Sequence, residues 1–258
     1  MSYLKLDYSA ASHIGGRRRN EDNYLIREGV APVWAYEMCR NQGQWDTSQT
    51  RVAAVCDGIG GGAQGDTASL IALKTIEGMA QEHPDLAPEE LIRMLAEAAQ
   101  EEVCSHYRRL GRSGGCTLSL LVLREDRWAY LNIGDSPAFL WRQEDRELTE
   151  LSERHNLKWE KLRRGIGPEQ GDECRLLRYL GRQGHEAREM AHVVGGELKP
   201  GDGLLLCTDG ITNAFSQENL SRWLEQKVSA ADLASSAASD PGADNCTAVC
   251  LWAVEAQN

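Results

Sequence analysis

The chain is organised around one stretch, Arg51-Val52-Ala53-Ala54-Val55-Cys56-Asp57-Gly58-Ile59-Gly60-Gly61-Gly62. Its first half is a short apolar run that predicts a β-strand, and its second half places four glycines directly after one carboxylate. A turn rich in glycine excludes bulky side chains and lets the backbone approach a ligand closely. We therefore expect this turn to hold a small charged group beside Asp57.

A nucleotide-binding loop is the competing interpretation of this turn. The pattern Gly60-x-Gly62-x-x-Gly65 matches the dinucleotide fingerprint, which lies between a strand and a helix. A dinucleotide-binding unit needs a second parallel strand after that helix, but here the helical pattern Asp66 to about Gln81 is followed by Pro84 and another helical pattern. Asp57 would also repel a pyrophosphate unless a cation lay between them. A metal-binding carboxylate is therefore favoured.

Length and composition predict one acidic cytoplasmic domain, spanning residues 1–258. A chain with 41% hydrophobic residues can bury a substantial core, and it has no apolar run long enough to cross a membrane and no signal-peptide pattern at its start. The formal net charge of -11 argues against a general nucleic-acid binder. The eight cysteines form no CxxC pair, and several lie in apolar runs, so the sequence indicates neither a disulfide framework nor a zinc site.

The order of strand and helix signals predicts antiparallel sheets with helices outside. Residues 24–26 and 51–56 are expected to pair as antiparallel strands across a loop at 29–50. Further strands are predicted at 118–123, 128–133, 138–142, 204–208 and 247–253. Helices are predicted at 67–81, 88–109, 156–163, 218–225 and 230–238.

Carboxylates recur at the ends of the predicted strands. Asp57, Asp135, Asp209 and Asp244 each stand beside Gly or Asn at a strand end, and the pair Glu21-Asp22 precedes another strand. Packed sheets can bring such ends to one edge, where oxygen ligands suit Mg²⁺ or Mn²⁺ better than zinc. Each Asp-Gly alone also fits an ordinary turn.

These residues carry a family resemblance that extends from about Tyr8 to Trp252. The ordered set resembles the motifs of the metal-dependent serine/threonine protein phosphatases of type 2C, the PPM family, and is most similar to the compact bacterial members. The motifs are Arg17-x-x-Asn20-Glu21-Asp22, Asp57-Gly58-Ile59-Gly60-Gly61, Gly134-Asp135-Ser136, Asp209-Gly210-Ile211-Thr212-Asn213 and Asp244-Asn245-Cys246-Thr247.

The resemblance implies an α+β fold in which a β-sandwich of two antiparallel sheets is flanked on both sides by helix pairs. It also implies a catalytic centre with two Mn²⁺ or Mg²⁺ ions. Asp57 would bridge the ions, Asp209 and Asp244 would bind one of them, and Glu21 with the Gly58 carbonyl would bind the other. Arg17 would hold the substrate phosphate, although Arg18 and Arg19 adjoin it and only the spacing to Glu21 selects it.

General chemistry supports these roles. A phosphomonoester dianion resists attack by water, and two cations about 3.5–4 Å apart can neutralise its charge and activate a water held between them. An arginine can hold the phosphoryl oxygens bidentately while charge spreads over them. The implied activity is hydrolysis of phosphoserine and phosphothreonine in proteins.

Four positions depart from the family pattern. Ile59 stands where many eukaryotic relatives have a histidine that is thought to protonate the leaving group. Pro137 replaces a usual arginine, and His13, where the family often has Asp, is expected to make a structural hydrogen bond. Asn213 replaces a second acid which, with Asp135, binds a looser third metal in bacterial relatives, so a third ion should be weak here.

A basic segment at 148–184 corresponds to the family's variable flap. Its cations, Arg154, Lys158, Lys161, Arg163 and Arg164, could steer phosphorylated substrates or could form a solvated helical face, and the sequence favours neither. The expected partners are phosphorylated proteins, substrates of a serine/threonine kinase, and we expect a monomer that binds no nucleic acid or membrane. The alternatives are a catalytically impaired phosphatase-like protein that binds phosphoproteins, and a nucleotide-binding oxidoreductase.

Overall fold

The protein is built from two six-stranded antiparallel sheets that pack face to face. The computed structural model describes residues 4–26, 29–30, 38–59 and 64–254. The strands are β1 Lys5–His13, β2 Asn23–Ile26, β3 Gly29–Val30, β4 Met38–Asp46, β5 Arg51–Cys56, β6 Gly58–Ile59, β7 Gly115–Cys116, β8 Leu118–Arg124, β9 Arg127–Ile133, β10 Ala138–Arg142, β11 Glu147–Glu150, β12 His192–Glu197, β13 Gly203–Cys207 and β14 Cys246–Val254.

Two groups of helices cover the outer faces of the sheets. The helices are α1 Gly65–Glu82, α2 Pro88–Leu110, α3 Leu157–Arg163, α4 Ala187–Met190, α5 Asp209–Ala214, α6 Gln217–Glu225 and α7 Ala230–Ala237. One sheet has the order β11-β10-β13-β14-β1-β4 and packs against α5, α6 and α7. The other has the order β12-β9-β8-β5-β2-β3 and packs against α1 and α2. The predicted layered α+β fold is confirmed.

The central strands are apolar throughout because both of their faces are covered. In β14, eight consecutive residues are buried, with alternate side chains entering the core between the sheets and the core beneath the helices. The same holds for β8, whose first six residues are buried. This explains why the sequence shows continuous hydrophobic runs here rather than an alternating pattern.

Most of the predicted elements are present. The strands at 24–26 and 51–56 pair antiparallel. Helix α2 begins at Pro88 and is capped after Leu110 by Gly111, whose φ of 60° is readily adopted by glycine. None of the helices in the described part of the chain combines the length and apolarity that crossing a bilayer requires. The described strand pairs are antiparallel, so the parallel unit of the oxidoreductase alternative is not formed.

The loop predicted at 29–50 is wrong, because β4 lies within it. This strand pairs with β1 along its whole length, from Met38 opposite His13 to Asp46 opposite Lys5. Its residues are mostly polar because it is an edge strand, and Trp45 is its one fully buried side chain. Backbone pairing rather than hydrophobicity therefore holds β4 in the sheet, which is why its sequence resembles a loop. Residues 31–37 lie outside the described residues.

Several further short elements were not predicted, among them β11, β12 and α4. Strands β11 and β12 lie on the outer edges of the two sheets, and α4 is a single turn before β12. The segment predicted as an excursion, 148–184, contains the end of β11, the helix α3 and one short 3-10 turn, Asp172–Cys174. Helix α3 matches the prediction at 156–163, with Asn156 as its N-cap.

Candidate metal centre

One cleft at the end of the sandwich collects all the candidate residues from the sequence. It has a volume of about 680 Å³, and both acidic and basic side chains lie on its walls. The candidates that line it are Arg17, Glu21, Asp57, Gly58, Asp135, Asp209 and Asp244. The strand ends therefore meet at one edge, as the recurrence of carboxylates predicted. The glycines at 60–62 lie outside the described residues.

The backbone of Asp57 is held by Thr117, which directly precedes β8, the neighbour of β5 in the same sheet. Its N–H donates to Thr117 Oγ1 at 2.9 Å, and the N–H of Thr117 donates back to the Asp57 carbonyl at 2.8 Å. Thr117 is fully buried, and its hydroxyl also contacts Ser136 Oγ at 2.6 Å. The backbone of Asp57 is thus fixed at the point where β5 ends. Sequence reasoning assigned no role to Thr117, which lies at the start of an apolar strand.

Asn245 organises the turn that presents Arg17 and Glu21. Its side-chain amide donates to the carbonyls of Ile14 at 2.8 Å and Arg19 at 2.9 Å, and its Oδ1 accepts the N–H of Glu21 at 2.9 Å. Asn245 is buried and its three bonds are partly buried, so they are partly shielded from water. In the sequence, Asn245 stands out only as part of the last motif. Its position directly after Asp244 is the one sequence feature that could have indicated a role at the cleft.

The glycines at 58 and 65 allow two segments to touch behind the cleft. A Cβ at Gly58 would lie 2.3 Å from the backbone of Gly65, and a Cβ at Gly65 would lie 2.9 Å from the Glu21 side chain. The N–H of Gly58 also donates to the Glu21 carbonyl at 3.1 Å. Any larger residue at either position would push Glu21 and the turn apart.

The carboxylates of the cleft disfavour one another's charged form. Burial raises the pKa of Asp57 well above its usual range, and repulsion from Asp22 and Asp209 adds to the rise. Burial likewise raises the pKa of Asp209 to about 6, together with the charges of Asp135 and Asp244. A site that contained bound cations would remove this repulsion, so the donor set fits hard divalent ions.

Asp22 contributes a buried acceptor to this cluster. Its Oδ2 accepts the Thr208 hydroxyl at 2.7 Å, while its Oδ1 is buried and has no hydrogen-bond partner. Burial raises the pKa of Asp22 to about 7. In the described part of the chain, no three His, Cys, Asp or Glu side chains stand in an arrangement that could by itself hold a metal ion. Ions would have to draw the carboxylates inward and use backbone or water oxygens as well.

The flap cations are mostly paired with flap carboxylates. Lys161 contacts Asp172 at 2.8 Å, Arg163 contacts Glu153 at 2.8 Å, and Arg164 contacts Glu160. Pairing within the segment favours the solvated helical face over substrate steering. The flap residues that reach the cleft wall are instead Glu173, Cys174 and Leu176. His13 makes the expected structural bond, since its Nδ1 accepts the Gly15 N–H at 2.9 Å.

Residues 37–240, more than half of the chain, match the family described as Protein phosphatase 2C. The chain belongs to this family. The match does not include the motif around Arg17 and Glu21 or the last motif at Asp244, so for these positions the assignment rests on the motifs themselves and on the geometry of the cleft.

Curated relatives agree with the family assignment. The chain is similar to the serine/threonine phosphatase stp of Listeria monocytogenes, with 29% identity over 187 residues that cover 68% of this chain and 72% of the relative. It is also 30% identical over 213 residues to the serine/threonine protein phosphatase PstP of Mycobacterium tuberculosis, covering 77% of this chain and 40% of that relative. The predicted family and enzyme class are confirmed: the chain is a protein phosphatase of the 2C type.

A solved structure shows that the fold is shared. The catalytic domain of PstP in complex with two manganese ions superposes with a TM-score of 0.76 at 22% identity, covering 98% of this phosphatase and all of that chain. The predicted pair of manganese or magnesium ions matches the metal content of that relative.

Proposed function

We propose that this phosphatase hydrolyses phosphoserine and phosphothreonine monoesters in proteins with two Mn²⁺ or Mg²⁺ ions held in the cleft. The observation that carries the proposal is the convergence of five carboxylates on one cleft with Arg17 on its wall, because a phosphomonoester needs both concentrated positive charge and a group to orient it. Those carboxylates are Glu21, Asp57, Asp135, Asp209 and Asp244.

The cleft residues divide into two sets of metal ligands in this proposal. Asp57 would bridge the ions, Asp209 and Asp244 would hold one, and Glu21 with the Gly58 carbonyl would hold the other. Two bound ions would supply charge neutralisation and a water of lowered pKa. The chain's own contribution is to keep these oxygens in place, through Thr117 behind Asp57 and through Asn245 behind the Glu21 turn.

Arg17 would bind and orient the phosphate. Its side chain is 58% exposed on the cleft wall, and Nη2 lies 2.6 Å from Asp244 Oδ2. The guanidinium is therefore held beside a proposed metal ligand while keeping further donors free for phosphoryl oxygens. This contact supports Arg17, rather than Arg18 or Arg19, as the phosphate-binding residue.

The leaving group would take its proton from solvent. The described residues that line the cleft include no histidine, and Ile59 lies at the position where many eukaryotic relatives have one. Without a positioned acid, turnover should depend on the basicity of the leaving oxygen. A nitrophenyl ester should therefore be cleaved faster, relative to a phosphothreonine peptide, than by an enzyme with such a histidine.

The main alternative is a catalytically impaired protein that only binds phosphoproteins. The carboxylates of the proposed two-ion centre are present and line one cleft, which weighs against it. The proposal also includes the predictions on organisation and partners. The chain would form one catalytic domain over 1–258 with a flap near 148–184. It would be a monomeric, cytoplasmic enzyme that acts on the substrates of a serine/threonine kinase. The unpaired state of all eight cysteines supports a reducing compartment.

The test is hydrolysis of a phosphothreonine peptide and of p-nitrophenyl phosphate by the full chain. Activity should need Mn²⁺ or Mg²⁺, disappear after thorough chelation, and return when the metal is restored. Turnover that survives chelation would contradict the two-ion mechanism. Retained binding of the phosphopeptide without turnover, at any metal concentration, would favour the impaired alternative.

A further inference from the structure

The outer edge of the carboxylate cluster, at Asp135 and Asp209, is bonded to amide groups. Asn156 Nδ2 donates to Asp135 Oδ2 at 2.9 Å, and Asn213 Nδ2 lies 3.3 Å from Asp209 Oδ2. Asn156 is buried, and its own Oδ1 accepts the Trp159 N–H at the start of α3. Each oxygen that accepts an amide hydrogen has fewer lone pairs left for a metal ion.

A guanidinium stands at the same edge. Arg154 is two residues before Asn156, and its side chain is only 16% exposed. Its Nε and Nη2 donate to the two carboxylate oxygens of Glu150 at 2.7 and 3.3 Å, and its Cζ lies 5.2 Å from the centre of the Trp159 ring. These contacts hold the cation in one place, since a bidentate carboxylate and an aromatic face both fix the plane of a guanidinium.

The remaining end of this guanidinium contacts α5, the helix that begins at Asp209. Arg154 Nη1 lies 3.4 Å from Thr212 Oγ1, and the Thr212 hydroxyl lies 3.3 Å from the carbonyl of Asp209. Glu150 is on the opposite side, at Nε and Nη2. These contacts place the charge of Arg154 beside the first turn of α5, which begins at Asp209, and two residues before Asn156, which bonds to Asp135.

We propose that the positive charge of Arg154 takes the place of a further cation at the edge formed by Asp135 and Asp209. The amides of Asn156 and Asn213 assist it by occupying oxygens of the same two carboxylates. The cleft consequently binds two ions tightly and additional ions only weakly. Arg154 acts on this edge through charge and not by touching the substrate, so it is a positioning residue. The proposal rests on the two-ion centre proposed above and specifies its stoichiometry.

The physical reason is competition between cations for the same carboxylates. A divalent ion approaching Asp135 and Asp209 would meet a fixed positive charge in a partly buried setting, where charges interact more strongly than in water. It would also have to displace the hydrogen bond from Asn156, which caps α3 at the same time. A purely structural Arg154, serving only to tie β11 to α3, would predict no effect of its charge on metal binding.

The experiment is a Mn²⁺ titration of the full chain followed by the paramagnetic resonance signal of free Mn²⁺, which counts bound ions without requiring catalysis. The wild-type protein should show two tight ions and a much weaker phase. Arg154→Gln should tighten the weak phase by about tenfold, because one opposing charge is removed. Arg154→Lys keeps a cation and should reproduce the wild-type isotherm.

Matched variants separate this effect from damage to the flap. Arg164→Gln makes the same change at an exposed arginine paired with Glu160, and it should bind Mn²⁺ as the wild type does. If Arg154→Gln is poorly folded by thermal unfolding, the double variant Glu150→Gln with Arg154→Gln removes the ion pair as a unit. It should show a smaller tightening in the same direction, because the more distant negative charge of Glu150 is lost as well.

The outcomes are decisive in both directions. An unchanged isotherm for folded Arg154→Gln, a shift of equal size in Arg154→Lys, or three equally tight ions in the wild-type protein would each overturn the inference. Failure of the proposed function is a different result, in which the wild-type protein binds no Mn²⁺ and leaves a phosphothreonine peptide intact. A hydrolysing enzyme with an unshifted isotherm would contradict only the role of Arg154.

Discussion

Arg17 and Asp244 form an ion pair in which Nη2 of the arginine lies 2.6 Å from Oδ2 of the aspartate. The two residues come from opposite ends of the chain and meet because β1 and β14 are neighbouring antiparallel strands. Both side chains are substantially exposed, so the pair contributes little to stability. The ion pair instead fixes the position of Arg17, the proposed phosphate-binding residue, beside Asp244, a proposed metal ligand.

Replacing Arg17 should mainly weaken substrate binding. We expect Arg17→Ala to raise KM with a smaller loss of kcat, because a guanidinium that contacts the phosphate acts in both the ground state and the transition state. Steady-state kinetics on a phosphothreonine peptide measure this. Arg18→Ala is the matched control, and an effect confined to Arg18→Ala would mean that the wrong arginine has been assigned.

Neutralising a central carboxylate should remove activity while stabilising the metal-free protein. We expect Asp57→Asn to lower kcat by several powers of ten, because its charge would hold both ions. In chelator the same variant should melt at a higher temperature than the wild type, since burial and neighbouring carboxylates disfavour the charge of Asp57. Adding Mn²⁺ should stabilise the wild type more than the variant. Near-normal turnover of the variant at saturating Mn²⁺ would show that Asp57 only shapes the turn and does not bind the ions.

Asn213→Asp should make a further ion easier to bind. The amide of Asn213 lies 3.3 Å from Asp209 Oδ2, so an aspartate there would place two carboxylates together and attract a cation. The high-concentration phase of Mn²⁺ activation should move to lower concentration, while the tight phase stays unchanged. Superimposable activation curves would leave Asn213 with only a structural role in α5.

Asn245→Ala should disturb the centre without removing a proposed metal ligand. Three partly buried hydrogen bonds to the turn at Ile14, Arg19 and Glu21 would be lost, and their partners would be left without this amide. We expect a loss of about 2 kcal/mol in the free energy of unfolding and a weaker affinity for Mn²⁺. Urea unfolding and Mn²⁺ titration measure the two effects. A destabilised protein with unchanged Mn²⁺ affinity would show that the turn does not position Glu21.

His155 should make the protein less stable in mild acid. Its Nδ1 accepts the Gly134 N–H at 3.1 Å, and burial lowers its pKa to about 3. The charged or titratable groups around it are Arg178, Arg163, Glu153 and His192. The unfolded histidine has a pKa of about 6.5, so below that pH the unfolded state takes up a proton that the folded state does not, and stability falls as pH decreases towards 3.

The comparison that isolates His155 is with His155→Asn, which retains a hydrogen-bond acceptor but does not titrate. The difference in unfolding free energy between wild type and variant, measured in chelator by urea unfolding, should shrink or change sign as the pH is lowered from about 7 to about 5. A difference that does not vary with pH would mean that the pKa of His155 is the same in the folded and unfolded states.

The ligand candidates could be named from the sequence because each is anchored to a local pattern. An Asp beside Gly at the end of an apolar strand marks Asp57 and Asp209, and the order of the motifs along the chain led to the family. Strands such as β14 were found for the same reason, since burial on both faces produces an unbroken apolar run. These signals depend only on neighbours in sequence.

Edge strand β4 and the supporting residues of the cleft lacked any such signal. Met38–Asp46 is polar and is held by backbone bonds to β1, which no side-chain pattern reports. Thr117, Asn245 and Asn156 act through hydrogen bonds to residues 20 or more positions away. A hydrogen bond between distant residues leaves no periodicity in either segment.

The sequence alone therefore determined the antiparallel α+β class, the family and the carboxylates that could bind metal, because these follow from local hydrophobic patterning and from motif order. Only the tertiary structure decided which neutral and cationic groups surround those carboxylates. The contact of Arg154 with Thr212, and of Asn156 with Asp135, arises from the way the flap returns to the sheet edge. Electrostatic surroundings depend on distances through space, and the fold sets these.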